Sequence, residues 1–109
     1  MTFSVELTQQ AKADLLNIAQ YYLSKAGIDV ATSIIDTLEY KIQSLSEYPE
    51  RSHKPHELYE ISNGFIFEII SEQYRIIYKL MAQRVVVIAI FDGRQNVKAH
   101  LTKRLTSLH

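Results

Sequence analysis

The sequence predicts one α+β domain over residues 1–109, with an N-terminal strand, an antiparallel two-helix hairpin, an antiparallel three- to four-stranded sheet and a short C-terminal helix. Three observations lead to this prediction. Apolar residues recur at helical spacing in two adjacent segments joined at Gly27. Three strand-like segments follow one another with very short connections, which favours antiparallel pairing. The amphipathic helices need an apolar surface to cover, and the sheet supplies it.

The N-terminal segment is predicted to form a short strand followed directly by a helix. Phe3, Val5 and Leu7 alternate with polar residues, which is the period of a strand with one buried face. Thr8 stands where a helix N-cap belongs, because its hydroxyl can accept a free backbone N–H of the first turn. Gly27 should end this helix, since glycine tolerates a positive φ.

Both helices of the predicted hairpin carry an apolar stripe. Asp29 is expected to cap the second helix, which should end near Glu47 because Pro49 cannot continue it. Neither helix is apolar all round, so the shared apolar side should pack on another element. The stripe residues are Ala11, Leu15, Ile18, Ala19, Tyr22 and Leu23 in the first helix, and Ala31, Ile34, Ile35, Leu38, Ile42 and Leu45 in the second.

The rest of the chain is predicted to contain a loop, the sheet and a last helix. Residues 48–56 form a polar loop, and residues 58–61 a short strand before an Asn63-Gly64 turn. Strands are expected over residues 65–71, 74–80 and 84–91. The last strand is apolar on both faces and should be interior. Residues 95–108 have the spacing of a basic amphipathic helix.

Composition excludes several classes of protein. The chain has no cysteine, so it has neither disulfides nor a thiolate metal site. Its longest fully apolar run, Val85–Phe91, is far shorter than a membrane-spanning helix requires. The N-terminus lacks the basic-then-apolar pattern of a signal peptide, so we expect a cytoplasmic protein that does not contact membranes.

The net charge is zero, with 12 acidic and 12 basic residues, but the charges are unevenly distributed. Residues 1–72 carry a net charge of −6, and residues 73–109 carry +6. A basic C-terminal third can present a positively charged surface to an acidic partner. The alternative is that these cations are placed by chance or at helix ends.

The sequence offers few groups for catalysis. His53 and His56 have no third metal ligand nearby, and no nucleophile elbow or phosphate-binding glycine loop is present. We therefore expect neither a metal nor a cofactor. Arg75, Arg94 and His100 could gather at one sheet edge and cleave RNA by activating a 2′-hydroxyl. Alternatively, Arg75 pairs with Glu68 or Glu72 across a hairpin, and His100 caps or packs.

The closing strands resemble those of the RelE/ParE superfamily of bacterial type II toxins. The resemblance rests on the run Tyr74–Tyr78, the apolar strand Val85–Phe91 and the segment Asp92–Gln95 that follows it. The N-terminal strand, residues 8–15, the helix hairpin and Pro49 also match the order of elements in this superfamily.

The resemblance implies one of two activities. RelE-like members are ribosome-dependent mRNA endonucleases; in that case Arg75 and Arg94 match the phosphate-binding arginines, and His100 lies near the proton-transfer position. Arg75→Ala should then abolish cleavage and keep the fold. ParE-like members inhibit DNA gyrase by binding and are not nucleases. The neutral net charge and the long hairpin favour the ParE-like branch, because a ribosome-binding chain should be strongly basic.

The resemblance also implies partners. A cognate antitoxin with a DNA-binding domain would neutralise the chain in a hetero-oligomer, and the toxin alone would not bind nucleic acid sequence-specifically. Such systems are linked to plasmid stabilisation. A non-toxic interaction module is a third interpretation. The residues expected to bind the target are Arg75, Arg94, Lys98, Lys103 and Arg104. Those expected to bind the antitoxin are Leu15, Ile18, Tyr22, Ile35 and Leu38.

Overall fold

The computed structural model describes residues 2–47, Pro49 and residues 66–106. Within these ranges the chain forms β1 (Ser4–Leu7), α1 (Gln9–Ala26), α2 (Ile28–Ser44), β2 (Ile66–Ser71), β3 (Tyr74–Met81), β4 (Arg84–Asp92) and α3 (Val97–Thr106). The predicted strand at 58–61, the Asn63-Gly64 turn, the histidines at 53 and 56 and most of the 48–56 loop lie outside the described residues.

The helix ends follow the local signals except at the two ends of α2, whose last residue is Ser44 and not Glu47 as expected. Thr8 caps α1, and its Oγ1 accepts a hydrogen bond from the backbone N–H of Ala11 at 3.1 Å. Gly27 ends α1 with a φ of 91°, as predicted. The prediction that Asp29 caps α2 is wrong, because α2 already begins at Ile28 and Gly27 is its N-cap. Asp29 lies in the first turn, where its negative charge is favourable beside the free N–H groups.

The four strands form a mixed sheet in the order β1-β4-β3-β2. β2, β3 and β4 are antiparallel and joined by the short turns at 72–73 and 82–83, as predicted. β1 departs from the all-antiparallel prediction, since it pairs in parallel with β4. The alternation of residues in β1 indicates a strand with one buried face, but it does not determine which distant strand becomes its neighbour or in which direction.

The sheet separates two apolar clusters. On one side, Tyr74, Ile76 and Tyr78 of β3 pack against both helices of the hairpin. On the other side, Ile77 of β3 and Leu101 of α3 belong to a second cluster, which also contains Ile66, Ile88, Ala89 and Phe91. β4 is therefore covered on both faces, as its apolar sequence predicts.

A β-bulge in β4 changes which residues face each cluster. Ile77 pairs with Ala89 and Tyr78 pairs with Val87, so Ile88 has no Cα partner in β3. Ile88 and Ala89 consequently both belong to the α3 side of the sheet, although they are consecutive. A bulge interrupts the ladder of backbone hydrogen bonds, and other groups have to satisfy the backbone at this point.

Candidate functional site

Arg75 on β3 forms an ion pair with Glu68 on β2. Nε of Arg75 donates to the two carboxylate oxygens at 3.1 and 3.3 Å, and Nη2 also contacts Oε2. The two side chains are only 18% and 3% exposed. They are diagonal neighbours in the β2–β3 hairpin, where Glu68 pairs with Ile77. Of the alternatives raised by the sequence, the structure thus shows the pairing of Arg75 with Glu68.

Gly93 brings the end of β4 against this ion pair. Its N–H donates to the carbonyl oxygen of Gln73 at 2.8 Å. A Cβ at this position would lie 3.2 Å from that oxygen and 3.5 Å from Cγ and Cδ of Arg75. Because glycine has no side chain, the β2–β3 turn and the aliphatic part of Arg75 can lie close to the backbone of Gly93.

Arg104 on α3 pairs with Asp14 on α1. Nη1 donates to Oδ2 of Asp14 at 3.0 Å and Nη2 to Oδ1 at 3.2 Å, and both side chains are largely buried. The guanidinium also lies over the ring of Phe91, 5.2 Å from its centroid. Arg104 thus fixes α3 to α1 and to β4, which is a structural task that its sequence position did not indicate.

Arg94 is exposed and pairs with its neighbour Asp92. Its backbone N–H and Nε donate to Oδ1 at 2.9 and 3.0 Å, and Nη2 contacts Oδ2 at 2.6 Å. These hydrogen bonds lower the pKa of Asp92 from 3.8 to about 2, and the carboxylate raises the pKa of the Arg94 guanidinium. Since 78% of the Arg94 side chain is exposed, it remains accessible to a partner.

A hydrogen-bond network joins α1 to the sheet beside Asp92. Nε2 of Gln73 donates to Oη of Tyr22 and to Oδ2 of Asp92, both at 3.2 Å. The hydroxyl of Tyr74 donates to Tyr22 at 3.3 Å. Burial raises the pKa of Tyr74, and the hydrogen bond with Tyr22 raises it further. Tyr22 is therefore tied into the sheet.

A cavity of about 290 Å³ lies between α1, β4 and α3. We call it the C-terminal cavity. It brings His100 together with Arg104, and the His100 ring lies 5.7 Å from the ring of Phe91. Arg75 and Arg94 do not line it. Its lining residues are Asp14, Asn17, Ile18, Tyr74, Ile90, Phe91, Asp92, Gln95, His100 and Arg104.

The arginines predicted to bind the target thus each have a carboxylate beside them. Lys98 and Lys103, on α3, are exposed, and neither forms an ion pair within the described part of the chain. The positive charge of the C-terminal third is therefore partly neutralised by Glu68, Asp14 and Asp92. Of the residues predicted to bind the target, Arg94, Lys98 and Lys103 remain exposed.

The apolar residues predicted to bind an antitoxin mostly face the sheet. Leu38 is 1% exposed and belongs to the core, so its side chain is not accessible to a partner. Leu15, Ile18, Tyr22 and Ile35 are half-buried and pack against the same cluster. The hairpin stripe was correctly identified as apolar, but its principal contact is the sheet of the same chain.

A second apolar surface lies on the outer side of the hairpin. We call it the outer groove, of about 440 Å³, lined by Leu16, Ala19, Gln20, Leu23, Ile28, Ala31, Thr32, Ile35 and Asp36. Leu16, Leu23 and Ile28 are 58%, 49% and 66% exposed. Leu23, expected in the inward stripe, belongs here. The signal was present in the sequence, because Leu16, Ala19 and Leu23 form their own helical stripe about 100° from Leu15, Ile18 and Tyr22.

Residues 2–47, 49 and 66–106 contain no group of three or more metal-ligating His, Cys, Asp or Glu side chains. None of the helices there has both the length and the apolar character needed to cross a membrane.

The chain matches a known protein family, and its fold resembles that of solved structures. The family model described as "ParE toxin of type II toxin-antitoxin system, parDE" matches residues 5–97. A search of curated protein sequences found no match. A solved structure described as a chromosomal ParDE toxin–antitoxin system from P. aeruginosa is similar, with a TM-score of 0.72 and 16% identity over 84% of this chain and 96% of that chain.

A second similar structure is the toxin–antitoxin complex RelBE2 from Mycobacterium tuberculosis. Its TM-score is 0.55, with 20% identity over 84% of this chain and 92% of that chain. At these identities the two structures establish a shared fold, which is the α+β fold that the sequence predicted.

Proposed function

Because the chain belongs to the ParE toxin family of type II toxin–antitoxin systems, we propose that it is a toxin that binds DNA gyrase and blocks replication. A cognate antitoxin carrying a DNA-binding domain neutralises it in a hetero-oligomer. Family membership supports the toxin class, and the choice of gyrase rests on the geometry of the cationic residues.

The observation that carries the choice is the Glu68–Arg75 ion pair. A phosphate-binding arginine needs its guanidinium fork directed at the phosphate. Here a carboxylate that is 3% exposed already contacts both Nε and Nη2 of Arg75. Arg75 and Arg104 therefore act as supports for the sheet and α3, which favours action by binding over RNA cleavage.

The gyrase contact is proposed at the accessible cations, Arg94, Lys98 and Lys103. Lys98 and Lys103 lie on α3, and Arg94 lies in the segment between β4 and α3. Exposed charges of this kind steer association and set its salt dependence. Arg75 and Arg104 contribute by holding β3 and α3 in place.

The antitoxin contact is proposed at the outer groove. An amphipathic helix laid between two helices is a recurrent way to cover such a surface. Ile35 lines this groove, whereas Leu15, Ile18, Tyr22 and Leu38 shape it indirectly by seating the hairpin on the sheet. Charged substitutions at Leu23 or Ile28 should therefore reduce the free energy of antitoxin binding by more than they reduce the free energy of unfolding of the toxin.

A supercoiling assay with purified gyrase tests the proposal. The wild-type chain should inhibit supercoiling, and Lys98→Ala combined with Lys103→Ala should raise the inhibitory concentration about 3- to 10-fold, as expected for loss of two rim charges. Lys12→Ala combined with Lys25→Ala is the matched control, since both are exposed lysines on α1. A folded wild-type chain that leaves supercoiling unchanged would refute the gyrase proposal.

The second candidate is a ribosome-dependent mRNA endonuclease. It is favoured by the position of His100, which shares the C-terminal cavity with Arg104 and Asp92. Primer extension on translated messages after induction should then reveal cuts within codons, and His100→Gln should remove them. Growth arrest without such cuts, together with inhibited supercoiling, would eliminate this candidate.

A further inference from the structure

A mainly apolar cavity of about 230 Å³, with polar groups on one wall, lies between the helix hairpin and the β2–β3 turn. We call it the turn cavity. It exceeds the roughly 30 Å³ that one water occupies, so it has room for a side-chain-sized group. Ile34 and Leu38 line its apolar part, and Glu72, whose φ is 57°, is at the turn. It is separate from both the outer groove and the C-terminal cavity, apart from the shared Tyr74.

Ser71 is the first sign that the turn cavity has a ligand. Ser71 lines the cavity and is 2% exposed as a residue, yet its buried Oγ makes no hydrogen bond with any described residue. A buried hydroxyl without a partner destabilises the folded chain. Buried polar groups are normally hydrogen-bonded, so this hydroxyl requires an explanation, and a ligand that supplies its partner is one.

The hydrogen-bonding groups around the cavity point to the kind of ligand. Both amide hydrogens of Gln73 are engaged, with Tyr22 and Asp92, which leaves its carbonyl oxygen as an acceptor. The Thr37 hydroxyl donates to the backbone of Ser33 at 2.9 Å and can still accept. Glu72 adds a carboxylate, and the described lining contains no cation. The wall is therefore rich in acceptors and carries one negative charge.

We propose that the turn cavity binds the guanidinium of an arginine side chain presented by a partner peptide. Arginine offers five N–H donors and no acceptor, which complements this wall. The rings of Tyr22 and Tyr74 provide aromatic surface, on which guanidinium groups pack favourably. In the sequence, residues 1–72 carry a net charge of −6, which attracts a basic segment. The proposal goes beyond the toxin function, because it holds for either target.

A titration of the isotopically labelled full chain with Nα-acetyl-arginine methylamide tests the proposal by NMR. The probe should cause saturable shifts at the amides of Ser71, Glu72 and Gln73. The neutral isostere Nα-acetyl-citrulline methylamide should not, because it lacks the charge. Glu72→Gln should weaken binding about 2- to 5-fold, in line with the value of an exposed ion pair. Glu39→Gln, which removes an exposed α2 carboxylate outside the cavity, should leave the affinity unchanged.

Thr37→Val provides a second variant, because it removes an acceptor from the cavity without touching the turn. It should weaken binding as well. Absence of saturable shifts, equal binding of the citrulline probe, or equal binding of the corresponding lysine probe would overturn the guanidinium assignment. Tighter binding of free arginine than of the blocked form would overturn a peptide source. Because no assay of gyrase enters this experiment, its failure would be distinct from failure of the toxin proposal.

Discussion

Arg104 and Asp14 together satisfy the backbone of β4 where the bulge interrupts its ladder. Nη1 of Arg104 donates to the carbonyl oxygen of Ile88, the residue without a partner in β3, at 2.8 Å. Oδ2 of Asp14 accepts from the N–H of Ile90 at 2.9 Å and from Arg104 at 3.0 Å. One ion pair therefore connects α1, α3 and the bulge, and it positions α3 over the second apolar cluster.

Breaking this connection should destabilise the protein. We expect Arg104→Ala to lower the free energy of unfolding by about 2–3 kcal/mol, because Asp14 is left largely buried beside fewer donors. Urea unfolding followed by circular dichroism measures the loss. Lys103→Ala, an exposed neighbour on α3, should change stability by less than about 0.5 kcal/mol. Equal effects of the two substitutions would show that the pair has no structural role.

Arg75→Ala should also destabilise the fold, contrary to the expectation from the sequence that it would leave the fold intact. Removing the cation beside the buried carboxylate of Glu68 should cost about 2–4 kcal/mol. The matched control is Arg84→Ala, which breaks an ion pair with Glu6 whose side chains are about half exposed. That pair should contribute less than about 1 kcal/mol. Similar unfolding midpoints for the two variants would contradict this interpretation.

The Asp92–Arg94 pair should make stability depend on acidic pH. The pKa of Asp92 is about 2 in the folded chain against an ordinary 3.8, so the unfolded state binds more protons between these values. Its contribution is complete above about pH 5 and is lost as the pH falls towards 2. Arg94→Ala should raise the pKa of Asp92 towards 3.8. A carboxyl-detected NMR titration measures it, with Lys103→Ala as the control; an unchanged pKa in Arg94→Ala would contradict the assigned cause.

Ala82 in the β3–β4 turn has a φ of 52°, a left-handed conformation that is unfavourable for residues with a Cβ. Ala82→Gly should therefore raise the free energy of unfolding by about 1 kcal/mol. The same substitution at Ala13, exposed within α1, should lower it by about 1 kcal/mol, because glycine is a poor helix former. Urea midpoints that move in the same direction for both variants would show that strain at Ala82 does not control the turn.

The apolar periodicity of the helices and strands was readable from the sequence because it is a local property. Thr8 and Gly27 bounded α1 where predicted, since a cap depends on residues within one turn. The pattern of the closing strands was sufficient to identify the superfamily, which the match to the ParE family model confirmed over residues 5–97. Local signals failed at Asp29, where the preceding Gly27 already begins α2.

The residues of the candidate site could be predicted only in part, because the sequence pattern reports local structure and the contacts of the site join distant segments. The sequence identified cations near the C-terminus, but it could not show that Arg75 and Arg104 turn towards Glu68 and Asp14, because those partners lie on other elements. The parallel pairing of β1, the bulge at Ile88 and the exposure of Leu23 likewise depend on which elements meet. The local order of residues by itself determined the helices, the strands and the family. Packing between distant segments decided which charges support the fold and which remain available to a partner.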